Sequence, residues 1–498
     1  MSLPITNRLS RRGFLERAGR SVAALSGVTP GAPFVLGVTQ DRPPGLADVP
    51  RIDGSLDIDN VALRAASTDL GRVVTRRPRA VLRPGSITDI VRIVEYANQK
   101  RLPVVMRGRG HSRYGLALVE DGIVIDSRSL NKVGTVTHET IDVEAGCALS
   151  ALVRGAADAG YRVPVMTDCT MLSVGGFASV GGQSFGSHMF GAFVDTVQEL
   201  DVVTGDGRLV TCSESHEREL FEMTLAGLGQ CAIVVRVRLR LLPAAEQVTT
   251  RTIIYDAIEP FLDDQLRLLS AEGLDFARGH IERRSGGGWE YRLMLGMFGP
   301  VNRERDPISL LPAQSRGRAE DAVRADVRAF FPGVVQTPAR AALPPPTGAP
   351  TPSGSAPVAA PSLAVWLPAS DSRNLVADYL ASEDSAGIAS IECTALPTNR
   401  FRRPLFRVPG EERMFAFWTL RSVFANRGPD LDAQLKTNEA FLHRALAMGA
   451  KRYPPYGGVI GAAEWKTHYG EALYQRFANA KRRYDPRGIL TPGPGVFS

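Results

Sequence analysis

The chain is poor in the residues that build metal centres and disulfide frameworks. Among 498 residues there are 5 cysteines and 7 histidines, and no HExxH, CxxC or clustered histidine spacing, so a protein-held metal is not expected. Cys147, Cys169, Cys212, Cys231 and Cys393 are too few and too spread for a disulfide framework, which is dense and usually even in number; one pair could still form. No internal repeat is present. The formal net charge is +7, yet it comes from scattered arginine without a basic run. Aromatic residues make up 7% and show no interleaved stacking pattern, so nucleic-acid binding is not expected. No apolar stretch is long enough to anchor the chain stably in a bilayer.

What is present is an enzyme-sized soluble chain, 44% hydrophobic and 22% charged, long enough for two domains or three. "LSRRGFLERAG" sets Arg11-Arg12 ahead of Phe14-Leu15, and a mildly apolar stretch interrupted by Gly and Pro follows. That is the layout of a bacterial twin-arginine export signal. Residues 1–40 are therefore expected to be a signal and linker, and the protein to be periplasmic or extracellular. An amphipathic first helix fits less well, because no helical period survives the Gly and Pro.

Further on, "RAVLRPGSITDIVRIVEYANQKRLPVVMRG" predicts a strand, helix, strand unit. Ser86-x-x-Asp89 is a helix-start signature, and Ile90, Val91, Ile93, Val94 and Ala97 recur at helical spacing. "GIVIDSRSL" and "ETIDVEAGC" predict strands, "LSALVRGAADAG" and "ELFEMTLAGLG" helices, and "QELDVVTGDGRLVTCS" a hairpin turning at Gly205-Asp206-Gly207. "AIVVRVRLRLLP" closes this region as an alternating strand. From 245 to 450, helical stretches alternate with "WEYRLMLGMF", "SLAVWLPAS" and "MFAFWTLRSV", which predict strands. Residues 342–361, rich in Pro, Ser and Ala, predict an extended mobile loop. The tail from "WKTHYGEALYQRFANAKRRY" predicts one helix with an aromatic face, then a Gly/Pro-rich end that returns to the first module.

Two glycine segments carry the functional signal. "RGRGHSRYG" sets Gly108, Gly110 and Gly115 around His111 directly after the run Val104-Val105-Met106. Glycine lets backbone approach a flat or phosphorylated ligand closely, and His111 would touch that ligand; a strand-ending turn with a surface imidazole is the plainer alternative. "TDCTMLSVGGFASVGGQSFGSHMFG" can place many backbone N–H groups on one anion, as pyrophosphate-binding loops do. Neither segment has the G-x-G-x-x-G spacing of a nicotinamide-binding fingerprint.

"GRGHS" after a strand, "TD…SVGG", "ELDVVTGDGRLVTCS", "ELFEMTLAGLGQ" and "YDPRGILTPGPGVF" together resemble the flavoprotein family of vanillyl-alcohol oxidase and p-cresol methylhydroxylase, and within it the cytokinin dehydrogenases. The likeness covers most of 75–243 and the last forty or so residues, and fades between 245 and 450. It implies an α+β fold: a two-subdomain FAD-binding module of p-cresol methylhydroxylase type from residues 45–243 and 455–498, and between them, from 245–450, an α+β substrate domain with an antiparallel sheet. The implied cofactor is FAD, bonded covalently through His111 at its 8α carbon. The implied cofactor contacts are Gly108, Arg109, Gly110, His111, Ser112, Asp168, Ser173, Ser179, Val234, Tyr453 and Thr491.

Asp168 falls where cytokinin dehydrogenases keep a general base. Hydride can leave a substrate carbon only as a proton leaves the adjacent N–H or O–H, and a partly desolvated carboxylate would have its pKa raised toward the working range. A turn-forming aspartate is the alternative. Glu282 matches a substrate-facing glutamate of that family, or is a solvated strand residue. Cys169 sits at the register where berberine-bridge-type oxidases bond a second residue to flavin C6; a small buried residue beside the site is the plainer reading. Leu116 and Pro494 replace two glutamines of the cytokinin dehydrogenases. The implied function is an exported dehydrogenase that oxidises a small secondary amine, an N6-isoprenoid adenine, with oxygen or a quinone-like molecule as electron acceptor. An alcohol or carbohydrate oxidase on the same scaffold and a flavin-binding protein without turnover are the alternatives.

Overall fold

The computed structural model describes residue 46, residues 48–327 except 168, 285, 300–305 and 317, residue 330, residues 359–421 except 383, 384, 386 and 387, and residues 431–497. The expected export signal at 1–40, Asp168, and residues 342–358 of the Pro-rich segment therefore lie outside the described residues.

The first sheet follows from the strand, helix, strand pattern. Strands β1 (Ser55–Asp57), β2 (Ala80–Arg83), β3 (Val104–Arg107) and β4 (Ile123–Asp126) order as β1-β2-β4-β3. The central pairs β2-β4 and β4-β3 are parallel. Helix α1 (Ile87–Lys100) bridges β2 and β3, burying Ile90, Ile93, Val94 and Ala97, the face that the 3.6-residue period selects. The start signature works differently from a capping box. Ser86 makes no cap hydrogen bond, and Asp89 accepts the backbone N–H groups of Asp53, Gly54 and Gly85, each at 2.8 Å. Asp89 thereby ties the chain before β2 to the helix.

The second sheet is antiparallel, with β5 (Val133–Thr137), β6 (Thr140–Glu144), β7 (Val197–Thr204), β8 (Leu209–Ser213) and β9 (Ala232–Arg240) in the order β5-β6-β9-β7-β8. Helices α2 (Leu149–Asp158) and α3 (Val174–Val180) lie between β6 and β7 in sequence.

Among the described residues the third sheet has eight strands, every neighbouring pair antiparallel: β10 (Gln247–Tyr255), β11 (Phe276–Arg283), β12 (Trp289–Gly299), β13 (Val323–Asp326), β14 (Leu363–Pro368), β15 (Ile388–Pro397), β16 (Arg413–Arg421) and β17 (Lys451–Arg452), in the order β13-β10-β12-β11-β15-β16-β14-β17. Helices α4 (Ile258–Leu268), α5 (Ser372–Ala381) and α6 (Leu431–Ala447) pack on one face, where Phe261, Tyr379 and Phe441 meet Val365, Phe415 and Phe417. Strand alternation sends Met414, Ala416 and Trp418 of β16 to the other face, into the core shared with the second sheet.

The tail is two helices where one was expected. α7 (Ala462–Tyr469) and α8 (Glu471–Tyr484) break at Gly470, whose φ of 78° no helix interior tolerates. The aromatic face survives across the break, with Trp465, Tyr469 and Phe477 all buried. Beyond α8 the chain returns as expected: Val104 N–H donates to Ile489 O at 2.8 Å, and Thr491 N–H to Val104 O at 2.7 Å. Lys481 and Asp485 hold this return, buried and paired at 2.7 Å, with Asp485 also accepting the N–H groups of Ile489 and Leu490. The end of the Pro-rich segment also departs from expectation. Ala359, Ala360 and Pro361 are buried, and Ala360 donates to Gly71 O and accepts from Arg113 Nε, at 2.8 and 2.9 Å.

Candidate flavin and substrate site

β3 delivers the first glycine segment to the rim of one large cavity, about 1450 Å³ counting its open mouth. Gly108 and Gly110 are glycines for local reasons. A Cβ on Gly108 would stand 2.0 Å from Ser173 Oγ, and Gly110 has φ of 70°. Leu70 N–H donates to Gly110 O at 2.8 Å and fixes the turn. Facing it, the second glycine segment enters α3 at Ser173.

Gly108, Arg109, Gly110, His111, Ser112, Ser173, Ser179, Val234, Tyr453 and Thr491 all line this cavity, although they come from five separated stretches of the chain. Thr491 is held there by three bonds: its N–H to Val104 O, its hydroxyl to Gly229 O at 3.0 Å, and its carbonyl from Gln230 Nε2 at 2.7 Å. Ser179 gives its hydroxyl to Gly175 O at 2.8 Å. Tyr453 packs on Trp366 with ring centroids 5.0 Å apart, and burial pushes its phenol well above the usual range. Asp168 lies outside the described residues; its neighbours Thr167 and Cys169 both line the cavity. Cys169 Sγ is 3.7 Å from His111 Nδ1.

Glu282 does not line the cavity. It stands half-buried near the end of β11, paired across the sheet with Glu290 and Ser390. The buried carboxylate on that sheet face is Glu392, bonded to Arg278 Nη2 at 2.9 Å.

Asp69 carries no sequence signal beyond an ordinary turn aspartate. Its Oδ2 accepts Gly115 N–H at 2.8 Å and its Oδ1 accepts Arg72 N–H at 3.2 Å, so it closes the turn that carries His111. Burial pushes its carboxyl up to about 6, against the pull of the Gly115 amide and of Arg107 and Arg113. Arg113, 1% exposed, lays its guanidinium carbon 4.9 Å from the Tyr456 ring centre, and Trp418 flanks Tyr456 at 4.6 Å. Trp418 and Tyr456 line the cavity too.

All five cysteines are described and none is bonded to another. Among the described residues, no group of three or more His, Cys, Asp or Glu could hold a metal, and no helix is long and apolar enough to cross a membrane.

The cavity suits FAD on its own chemistry. Arg109 Nε and Ser112 Oγ are buried there without a partner among the described residues. Buried donors of this kind are costly unless a ligand satisfies them. Arg109 and Arg113 are the charged side chains among the described lining residues, and an anionic diphosphate answers that balance.

Comparison with known proteins agrees. Residues 78–213 match the model of an FAD binding domain, and residues 378–497 match that of the FAD- and cytokinin-binding domain of cytokinin dehydrogenase 1. The chain is 29% identical over 444 residues to an uncharacterized oxidoreductase, ORF5 of the fasciation locus of Rhodococcoides fascians, covering 89% of this chain and 99% of that one. It is 30% identical over 511 residues to cytokinin dehydrogenase 5 of Oryza sativa subsp. japonica, covering 89% and 91%. Its fold is similar to those of 6-hydroxy-D-nicotine oxidase from Arthrobacter nicotinovorans (TM-score 0.68, 18% identity, 88% and 96% of the chains) and of chitooligosaccharide oxidase (TM-score 0.71, 16%, 89% and 97%). With an FAD-binding fold, a cavity to match and a rice relative aligned over nine-tenths of its length, the chain belongs to the cytokinin dehydrogenase family of FAD-dependent oxidoreductases.

Proposed function

We propose that this oxidoreductase dehydrogenates a secondary amine of the N6-isoprenoid adenine class and that FAD is bonded to the chain through His111. The observation that carries the reading is the composition of this cavity. The glycine turn with His111 forms one side, and the aromatic group Trp418, Tyr453 and Tyr456 forms another, suited to a flat ring. Gly108, Arg109 and Ser112 hold the cofactor, and the turn is kept in shape by Leu70 and Asp69. FAD bound here would supply a two-electron acceptor for the carbon attached to the substrate nitrogen. Asp168 takes the N–H proton, so that a neutral imine results, and water then cleaves it to adenine and an aldehyde. Oxygen or a quinone-like molecule removes the electrons. A covalent imidazole tether retains the cofactor outside the cytoplasm, consistent with export directed by residues 1–40.

The test is anaerobic addition of N6-isopentenyladenine, in parallel with a panel of alcohols and oligosaccharides, to the purified yellow protein. Bleaching by the adenine alone is expected. Bleaching only by an alcohol or sugar overturns the amine reading, and no bleaching by anything overturns turnover itself. Replacement of Arg11 and Arg12 by lysine is expected to leave the protein in the cytoplasmic fraction; unchanged export overturns the twin-arginine route.

A further inference from the structure

We infer that Trp418 is a specificity-determining residue, whose indole N–H takes a ring-nitrogen or carbonyl acceptor at the edge of a flat heteroaromatic substrate. The inference rests on the substrate class proposed above and narrows it to one side chain and one hydrogen bond.

Strand register fixes where Trp418 points. Phe415 and Phe417 of β16 enter the helix-covered core, so Met414, Ala416 and Trp418 face the other way. Across the sheet Trp418 is paired with Ala364 on β14 and Glu392 on β15. Ala364 is small and leaves the indole room. The surface that results is stiff. The Trp418 and Tyr456 rings lie 4.6 Å apart at 43°, Tyr456 and Tyr453 lie 5.9 Å apart, and Tyr456 sits in a short 3₁₀ turn with Pro454 and Pro455. Arg113 covers the Tyr456 ring as well. A wall held this way presents a flat face without losing side-chain freedom on binding.

The second observation is the indole nitrogen. Trp418 Nε1 is buried and has no partner among the described residues. The fold satisfies other indoles: Trp289 Nε1 donates to Leu380 O at 3.0 Å, and Trp465 Nε1 to Pro494 O at 2.9 Å. An indole N–H is donor only, so the missing partner is an acceptor, and nothing about a neutral donor calls for charge. Trp418 belongs to the eight-stranded sheet, whereas the unpartnered Arg109 and Ser112 belong to the glycine turn after β3. The two sets of donors stand on different layers, and the one on the sheet serves the substrate. An adenine offers N1, N3 and N7 as acceptors in the plane of a flat ring. A site with a buried donor rejects the isostere that lacks the acceptor, because the donor is then left unmade.

The test compares adenine with 1-deaza-, 3-deaza- and 7-deazaadenine, each lacking one ring acceptor at nearly constant size. Binding to the flavin-loaded wild-type protein and to Trp418→Phe and Trp418→His is read as a change in flavin absorbance. One deaza analogue should bind wild type about tenfold more weakly than adenine, the size of one buried hydrogen bond. Trp418→Phe, which keeps a ring and removes the N–H, should bind adenine about tenfold more weakly and lose that discrimination. Trp418→His, with a ring N–H restored, should regain part of it and carries the comparison if the Phe variant fails to hold flavin. Equal binding of all four ligands by wild type, discrimination unchanged in Trp418→Phe, or no adenine binding at all overturns the inference. Discrimination as expected without flavin reduction by N6-isopentenyladenine overturns the amine reading instead and leaves the role of Trp418 standing.

Discussion

Replacing Asp69 by asparagine should flatten the stability of the protein between pH 4 and pH 7. Asp69 is wholly buried, and its carboxyl is pushed up from 3.8 to about 6 in the folded chain, with burial as the largest cause. Between those two values the folded state holds a proton that the unfolded state has released. Stability from this group is therefore fully present below pH 3.8 and is lost as pH rises through 6. Two pKa units at 1.36 kcal/mol each set the scale at about 3 kcal/mol, of which about 2.5 kcal/mol falls between pH 4 and pH 7. Asparagine cannot titrate, so the wild-type curve should fall relative to the Asp69→Asn curve as pH rises. For the roughly 400 described residues this difference is only about 3 °C in melting temperature, so denaturant titration at each pH is the better assay. Parallel wild-type and variant profiles, or divergence in the opposite direction, would refute the reasoning. Asparagine also keeps one acceptor for the two N–H groups of Gly115 and Arg72, so a constant offset at all pH values is expected and does not bear on the slope.

Gly108→Ala would push a Cβ to 2.0 Å from Ser173 Oγ; a loss of about 1–3 kcal/mol and lower flavin content per protein are expected, partly restored in the double variant with Ser173→Gly, as read by the ratio of visible to ultraviolet absorbance. Lys481→Ala leaves Asp485, 0% exposed at its side chain, without its cation; urea unfolding should show a loss of about 3–5 kcal/mol, with less flavin incorporated per protein because Leu490 and Thr491 lean on this pair through the return to Val104. His111→Ala should free the flavin on acid precipitation, where the wild-type pellet keeps its colour; a wild-type pellet that turns white rules out the covalent link.

The sequence makes local order legible and hides what depends on long-range pairing. The helix before β3 is plain because Ile90, Ile93, Val94 and Ala97 recur at helical spacing and all face the same core. The glycine turns are plain because only glycine tolerates their dihedrals or their approach to Ser173. The meeting of residues 108–112, 173–179, 234, 453 and 491 around one cavity came through family resemblance, since no periodicity links such distant stretches. Asp69 shows the limit most clearly. Its carboxylate is set by Gly115, 46 positions away, and a lone aspartate in "TDLG" looks like any turn. Trp418 is hidden for a different reason. In "MFAFW" every residue is apolar, so alternation gives no phase, and both faces of β16 turn out to be covered, one by helices and the other by the second-sheet core. The phase comes only from the pairing of β16 with β14 and β15. That pairing decides which aromatic of β16 lines the cavity, so this part of the wall depends on sheet register, whereas the turn that carries His111 depends on glycine spacing.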